Sequence, residues 1–208
     1  MSKNYEIKRK KEKLREEIWR KLEKYNIARF PLPCKGRIPN FVGSGIAAKK
    51  VTSLKLWKKA KVVLANPDYA QKKIRELALI DNKTLIMASP RLKCGYFLLN
   101  PKKCKNKENF ATTIKGAFIL GENITKLPKV DLVISGSVAV DLKGNRLGKG
   151  GGYGDREIKK ARQLNKEITV ITTVHDMQVV KKVPTEKHDE KVDIIVTPTK
   201  IIYVQKFN

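Results

Sequence analysis

Between Asp131 and Leu164 the chain changes texture four times, and the order of those changes restricts the folds open to it. Residues 131–141 (DLVISGSVAVD) have the apolar, β-branched character of a buried strand, and Lys143-Gly144-Asn145 follows as a turn. From Arg146 to Arg156 five of the chain's thirteen glycines sit among four charged residues. Beyond them Ile158, Ala161 and Leu164 recur at helical spacing. Strand, turn, glycine loop and helix in that order place backbone amides at a helix N-terminus, where the macrodipole favours an anion. Residues without a Cβ adopt positive φ and approach a ligand closely, so Gly148, Gly150, Gly151 and Gly152 suit a phosphate cradle. Arg146 and Lys149 add positive charge, and Asp155 is placed either to bind a metal or to cap the next helix. The loop has no G-x-x-x-x-G-K-[ST], and Tyr153 stands at the third glycine of a G-x-G-x-x-G begun at Gly148. A flexible surface turn is the plainer alternative.

The remaining apolar pattern extends this unit into an α/β fold. Leu14, Ile18, Leu22 and Tyr25, widened by Trp19, predict an amphipathic N-terminal helix at about 5–26. Lys11 and Arg15 are four apart and share one face at the edge of that stripe. Phe30-Pro31-Leu32-Pro33 breaks the helix, residues 36–45 form an ordered loop, and Ala47, Val51, Leu54 and Trp57 predict a second helix. Strands are expected at 62–65, 84–88, 131–141, 168–174 and 193–197, with helical spacing at Ala70, Ile74, Leu77 and Ala78 between the first two. Asn66-Pro67-Asp68 is a turn, and residues 100–109 are polar, basic and without period, as in a linker. Alternating strands and helices imply three layers, a mostly parallel sheet covered by helices, in one domain spanning residues 1–208.

Charge and cysteine content narrow the partners. The formal charge is +26, from 46 basic and 20 acidic residues, so polyanions are plausible partners. The excess is spread along the chain, and a nucleic-acid role would need a focused patch. No apolar run of about 18 residues predicts a transmembrane helix. The charged N-terminus lacks a signal-peptide core, which points to a cytoplasmic protein. Cys34, Cys94 and Cys104 are odd in number and widely spaced, fitting neither a disulfide framework nor a zinc site.

Two histidines, His175 and His188, each precede an aspartate. They are read either as ligands or an acid/base pair, or as braces at strand ends, the second being the simpler. Oxygen donors suit magnesium better than zinc, which makes Asp155 a metal candidate and Asp189 a second. There is no G-x-S-x-G elbow and no evident nucleophile partner for either histidine.

The glycine loop resembles the R-L-G-x-G-G-G-Y-Y-D-R signature of the 5-formyltetrahydrofolate cyclo-ligase (methenyltetrahydrofolate synthetase) family, and Lys11-x-x-Leu14-Arg15 is similar to its N-terminal K-x-x-L-R element. Arg37-Ile38-Pro39-Asn40-Phe41, Asn66-Pro67-Asp68, Gly136-Ser137-Val138-Ala139-Val140, Val174-His175-Asp176-x-Gln178-Val179 and Thr197-Pro198-Thr199 look like signatures of its methenyltetrahydrofolate synthase domain-containing subgroup. Members of that subgroup can carry an RNA-recognition module beyond this domain, and none is expected before Asn208. The resemblance implies a fold of the NagB/RpiA/CoA-transferase type. It also implies an activity in which ATP activates the formyl oxygen of 5-formyltetrahydrofolate and ring closure gives the 5,10-methenyl form. By resemblance Lys11, Arg15 and Arg146, Leu147, Gly148, Lys149, Gly150, Gly151, Gly152 and Tyr153 would bind ATP, and Asp155 and Asp189 would hold Mg²⁺. A reduced folate or related formyl-pterin would be the other substrate; no catalytic residue is assigned.

Two departures stand out. Gly154 replaces the second tyrosine of the loop, and Tyr69-Ala70-Gln71-Lys72 offers no acid where the family places a folate-binding glutamate, leaving Asp68 or Glu76 as substitutes. Those departures and the charge keep open a nucleotide-binding or RNA-associated regulatory protein that lost the activity. A sugar-phosphate isomerase or acyl-CoA enzyme related by fold alone is the remaining class.

Overall fold

The apolar runs become the middle of an eight-stranded sheet in the computed structural model, which describes residues 3–205. The terminal residues included in the 1–208 domain expectation lie outside the described residues. The strands are β1 (Val62–Ala65), β2 (Thr84–Ala88), β3 (Tyr96–Leu99), β4 (Glu122–Ile124), β5 (Leu132–Ser135), β6 (Thr169–Thr173), β7 (Ile194–Val196) and β8 (Ile201–Tyr203). They lie in the order β8-β7-β6-β5-β1-β2-β3-β4. Every pairing from β7 through β2 is parallel, and the outer strands β8, β3 and β4 are antiparallel.

The parallel strands are buried on both faces, which is why they read as continuous apolar runs. Successive residues go to opposite sides: Val63, Leu85, Met87, Leu132 and Ile134 enter one core, while Leu64, Ile86 and Val133 enter the other. The first core is closed by α1 (Lys3–Lys24) through Ile18, Trp19 and Leu22, by α2 (Ser44–Ser53) through Ala47, Ala48 and Val51, and by α3 (Lys72–Ile80) through Ile74 and Ala78. The second is closed by α4 (Tyr153–Leu164) through Ile158 and Ala161. These three layers are those expected from the alternation of patterns.

Three local expectations are revised. The second helix ends at Ser53, because Leu54 turns extended (φ −68°, ψ 139°); Trp57 belongs to a separate short helix at Lys55–Lys59. Residues 100–109 hold helical turns at Pro101–Cys104 and Glu108–Ala111, the first begun by an Asn100 side-chain cap with proline at the first helical position. The run 131–141 is two strands, because the chain leaves the main sheet after β5 and Ala139–Asp141 pairs with Arg146–Leu147 in a separate three-stranded sheet. That hairpin delivers the glycine loop to the start of α4.

Chain order reverses direction between β1 and β5. From β1 the sheet grows one way to β2, and the later strands β5, β6 and β7 are added on the other side. A parallel sheet leaves a crevice beyond the strand ends at such a switch point. Asn66 follows β1 there and Gly136 follows β5, joined by a Gly136 N–H to Asn66 Oδ1 hydrogen bond of 2.9 Å.

Candidate functional site

At that switch point the glycine loop divides two cavities. The first, of about 540 Å³, is lined by Asn66 to Tyr69 after β1, Ala88 to Leu92 after β2, Gly136 after β5, and loop and helix residues through Glu157. The second, of about 430 Å³, lies between α1 and the loop and includes Lys8, Lys11, Arg15, Glu186, His188 and Asp189. Arg146, Gly148, Gly152 and Asp155 line both, so the loop is their common wall.

The loop's shape follows from its glycines. Gly150 and Gly152 have φ of 110° and 65°, a region costly for other residues. Gly152, in the left-handed conformation, is the N-cap of α4, and Asp155 therefore sits in the helix's first turn rather than at its cap. A Cβ on Gly151 would lie 2.8 Å from the Tyr153 ring, and one on Gly154 would lie 3.1 to 3.3 Å from the Arg146 guanidinium. Among the described residues no acceptor takes the amides of Gly150, Gly151 or Gly152. Unfilled amide donors beside a helix N-terminus are the donor set that phosphate oxygens require.

The cations expected around the loop are present, each fixed differently. The Arg15 Nε–H donates to the Gly148 carbonyl at 2.8 Å, tying α1 to the loop. Lys11 is buried, and its ammonium bridges Glu186 at 2.8 Å and Asp189 at 2.6 Å. Arg146 is also buried, donating to the Gly136 carbonyl at 3.2 Å and to Asp155 Oδ1 at 2.6 Å. Lys149 reaches Asp68 at 2.8 Å across the first cavity. The residues assigned to ATP and Mg²⁺ all line one cavity or the other: Lys11, Arg15, Leu147, Gly150 and Asp189 the second, Lys149, Gly151 and Tyr153 the first, and Arg146, Gly148, Gly152 and Asp155 both, whereas His175 and Glu76 line neither.

The second cavity also gathers the oxygen donors a hard cation prefers. Ligand atoms of Glu186, His188 and Asp189 lie within 4.8 Å of one another, with the Lys11 ammonium on the two carboxylates. The hydrogen bond from Lys11 holds the Glu186 carboxyl below its ordinary range. Asp155 Oδ1 is engaged by Arg146 and by the Glu190 amide. His188 is exposed, whereas His175 braces a turn, its Nδ1 accepting from the Met177 amide at 3.2 Å.

Two residues, one behind the wall of the first cavity and one in it, were not singled out in the sequence. Arg75, fully buried in α3, donates to the carbonyls of Asn66, Asp68 and Thr112 and so clamps the turn after β1. Burial pushes its pKa down to about 10. Glu157 is the second: it is 2% exposed, its Oε2 accepts from Asn66 Nδ2 at 2.9 Å, and its Oε1 is buried without a partner. Burial, reinforced by the charge of Asp68, pushes its carboxyl up to about 8 against the opposing pull of Arg146, Lys160 and the Asn66 amide. A signal existed, because Glu157 is four residues before buried Ala161 and beside Ile158, which puts an acid inside the apolar stripe of α4.

Comparison with known proteins agrees with this geometry. The sequence profile of the 5-formyltetrahydrofolate cyclo-ligase family matches residues 7–198. The chain is 38% identical over 203 residues to the human methenyltetrahydrofolate synthase domain-containing protein, covering 92% of this chain and 53% of that protein. It thus spans about half the length of such relatives. It is 34% identical over 79 residues to 5-formyltetrahydrofolate cyclo-ligase of Escherichia coli, covering 38% of this chain and 42% of that enzyme. The solved structure of Aquifex aeolicus 5,10-methenyltetrahydrofolate synthetase has the same fold, with a TM-score of 0.62, 21% identity, and coverage of 95% of this chain and 94% of that one. No helix among the described residues is long and apolar enough to cross a membrane.

Proposed function

The chain belongs to the 5-formyltetrahydrofolate cyclo-ligase family, and from that premise we propose that it closes the ring of 5-formyltetrahydrofolate or a related formyl-pterin at the expense of ATP. The observation that carries the reading is the glycine loop serving as the common wall of two cavities. A two-substrate ligation needs the phosphoryl donor and its acceptor brought into contact by an element that both cavities share. The second cavity, lined by Lys8, Lys11 and Arg15 and by the loop, takes the nucleotide; the first, with Ile38, Tyr69 and Leu92 in its wall, takes the pteridine.

In this reading Lys11, Arg15 and the loop residues 146–153 bind ATP, with Lys149, Gly151 and Tyr153 reaching the phosphates from the face of the loop that borders the first cavity. The amides orient the phosphates, and the cations offset charge that builds on the transferring group. Asp155 and Asp189 hold Mg²⁺, with Glu186 beside them. The carboxylates of Glu186 and Asp189, clustered with His188, offer oxygen donors that would suit that ion, and it would supply charge neutralisation at the phosphates. Phosphorylation of the formyl oxygen makes it a leaving group, attack by the neighbouring amine nitrogen closes the imidazoline ring, and phosphate departs. The +26 net charge alone does not single out the RNA-associated alternative, because a nucleic-acid role needs a focused patch and net charge does not specify one.

The deciding measurement is ATP-dependent appearance of methenyl-pterin absorbance from 5-formyltetrahydrofolate. We expect turnover that requires both ATP and Mg²⁺. Absence of product and of ATP consumption with every formyl-pterin supplied would refute the assignment.

A further inference from the structure

Three carboxyl groups line the first cavity, those of Asp68, Asp155 and Glu157. Two are already matched: Lys149 meets Asp68 at 2.8 Å and Arg146 meets Asp155 at 2.6 Å. Glu157 has no ion-pair partner among the described residues, and its Oε1 is an unfilled, buried acceptor. Leaving such an atom unsatisfied is costly, and native proteins seldom do so without a reason.

The carboxyl is also held in a fixed orientation. Asn66 Oδ1 accepts from Ser135 Oγ at 3.0 Å and from the Gly136 amide at 2.9 Å. A backbone N–H can only donate, so the Asn66 amide nitrogen must face Glu157, where it donates to Oε2 at 2.9 Å. The ends of β1 and β5 thereby aim a side chain of α4 at the switch point. Exposed cations, Arg37, Arg91 and Lys149, stand elsewhere in the same wall.

We propose that Glu157 is a substrate-recognition residue of the first cavity, accepting hydrogen bonds from the ring N–H and exocyclic amine of a 2-amino-4-oxo-pteridine, with Asn66 as its positioning residue. The proposal rests on the folate reading given above and adds the group that orients the ring. Those two N–H groups are parallel donors on one edge, and Glu157, once ionised against them, presents two matching acceptors, as a carboxylate does to a guanidinium. With the pteridine edge on buried Glu157, the acidic tail of a folate extends toward Arg37, Arg91 and Lys149. Helix α4 thus supplies a buried acid opposite Asp68 and Tyr69, where Asp68 is already paired with Lys149.

The test is equilibrium binding, without ATP, of 5-formyltetrahydrofolate and of its 2-desamino analogue to the wild type and to Glu157→Gln. An amide keeps the shape but offers one donor where the ligand presents only donors. The expected result is a loss of roughly 10- to 100-fold for 5-formyltetrahydrofolate in Glu157→Gln, with affinity for the analogue changed by no more than about threefold. The wild type should itself prefer the natural ligand by a similar factor, a comparison that stands even if the variant folds poorly. ATP affinity should not change in Glu157→Gln. Equal losses for both pteridines, or equal affinities of the wild type for the two, would overturn the role of Glu157 while leaving the function intact. A wild type that binds neither pteridine would remove both.

Discussion

Replacing Lys11 with methionine removes one cation from two carboxylates and tests how the second cavity is held together. Lys11 is buried, and Glu186 and Asp189 have side-chain exposures of only 9% and 11%, so water can do little to replace the lost ammonium. Breaking a buried pair from one side costs about 3–5 kcal/mol, and the slight exposure of both acids places this case near the lower limit, at about 3 kcal/mol. For a chain of this length that is a fall in melting temperature of roughly 6–12 °C. The assay is urea unfolding at pH 7 and again at acid pH, comparing midpoints and slopes. The Lys11 hydrogen bond depresses the Glu186 pKa from 4.5, so its stabilisation is fully present above that value and is lost as pH falls through the folded-state pKa. The gap between wild type and variant should therefore close below about pH 4.5. Adding Glu186→Gln and Asp189→Asn should restore much of the loss at pH 7. A gap under about 1 kcal/mol at pH 7 with an unchanged slope, or one that ignores pH, would refute the reasoning.

Glu157→Gln should alter the pH dependence of stability. The native carboxyl is raised from 4.5 to about 8, so its contribution is full below pH 4.5 and declines as pH rises through about 8. At about 1.4 kcal/mol per pKa unit the limiting penalty is about 5 kcal/mol, and the variant should flatten the decline of the urea-midpoint profile between about pH 4.5 and about pH 8; parallel profiles would count against a protonated native carboxyl. Arg75→Met should destabilise by about 3 kcal/mol or more, because the carbonyls of Asn66, Asp68 and Thr112 lose their donor. Chemical unfolding reads that loss, and a change under about 1 kcal/mol would dismiss the clamp. Gly151→Ala should raise the ATP KM several-fold with little change in melting temperature, since the new Cβ presses the exposed loop's Tyr153 ring from 2.8 Å; unchanged kinetics would separate that glycine from the nucleotide.

How much of this was legible in the sequence depended on how local the cause was. The central strands β1, β2, β5, β6 and β7 were readable because burial on both faces writes an apolar run. The outer strands β4 and β8 are only three residues long and contain no buried residue, so they write no such run, and β3 and β8 are set by antiparallel pairing with the strand just before them. The break in 131–141 was hidden because Val138, Ala139 and Val140 are as buried in their small sheet as Val133 is in the large one. Among site residues, Lys11 and Arg15 shared a helix face, but only the fold sets that face against Gly148, Glu186 and Asp189. Glu157 looked like one more charge in a basic helix, although its place in the Ile158–Ala161 stripe made its burial inferable.

The two departures from the family signature meet at one group. Gly154 lies against the Arg146 guanidinium, where a Cβ would come within 3.1 Å, and Glu157 follows one turn later on the same helix. A tyrosine at 154 would begin its side chain in that contact and bring a ring into the region lined by both residues. Glycine removes that wall and leaves Arg146 free to hold Asp155 on the side of the second cavity and the Gly136 carbonyl at the switch point. Gly136 in turn fixes Asn66, and Asn66 orients Glu157. Loss of the tyrosine and presence of the buried acid therefore belong to one arrangement, in which a hydrogen-bonding carboxyl rather than an aromatic face meets the ligand. On the proposed reading the shared loop carries the reaction class, and discrimination among pteridines is assigned to the chain of contacts that links Arg146 to Glu157.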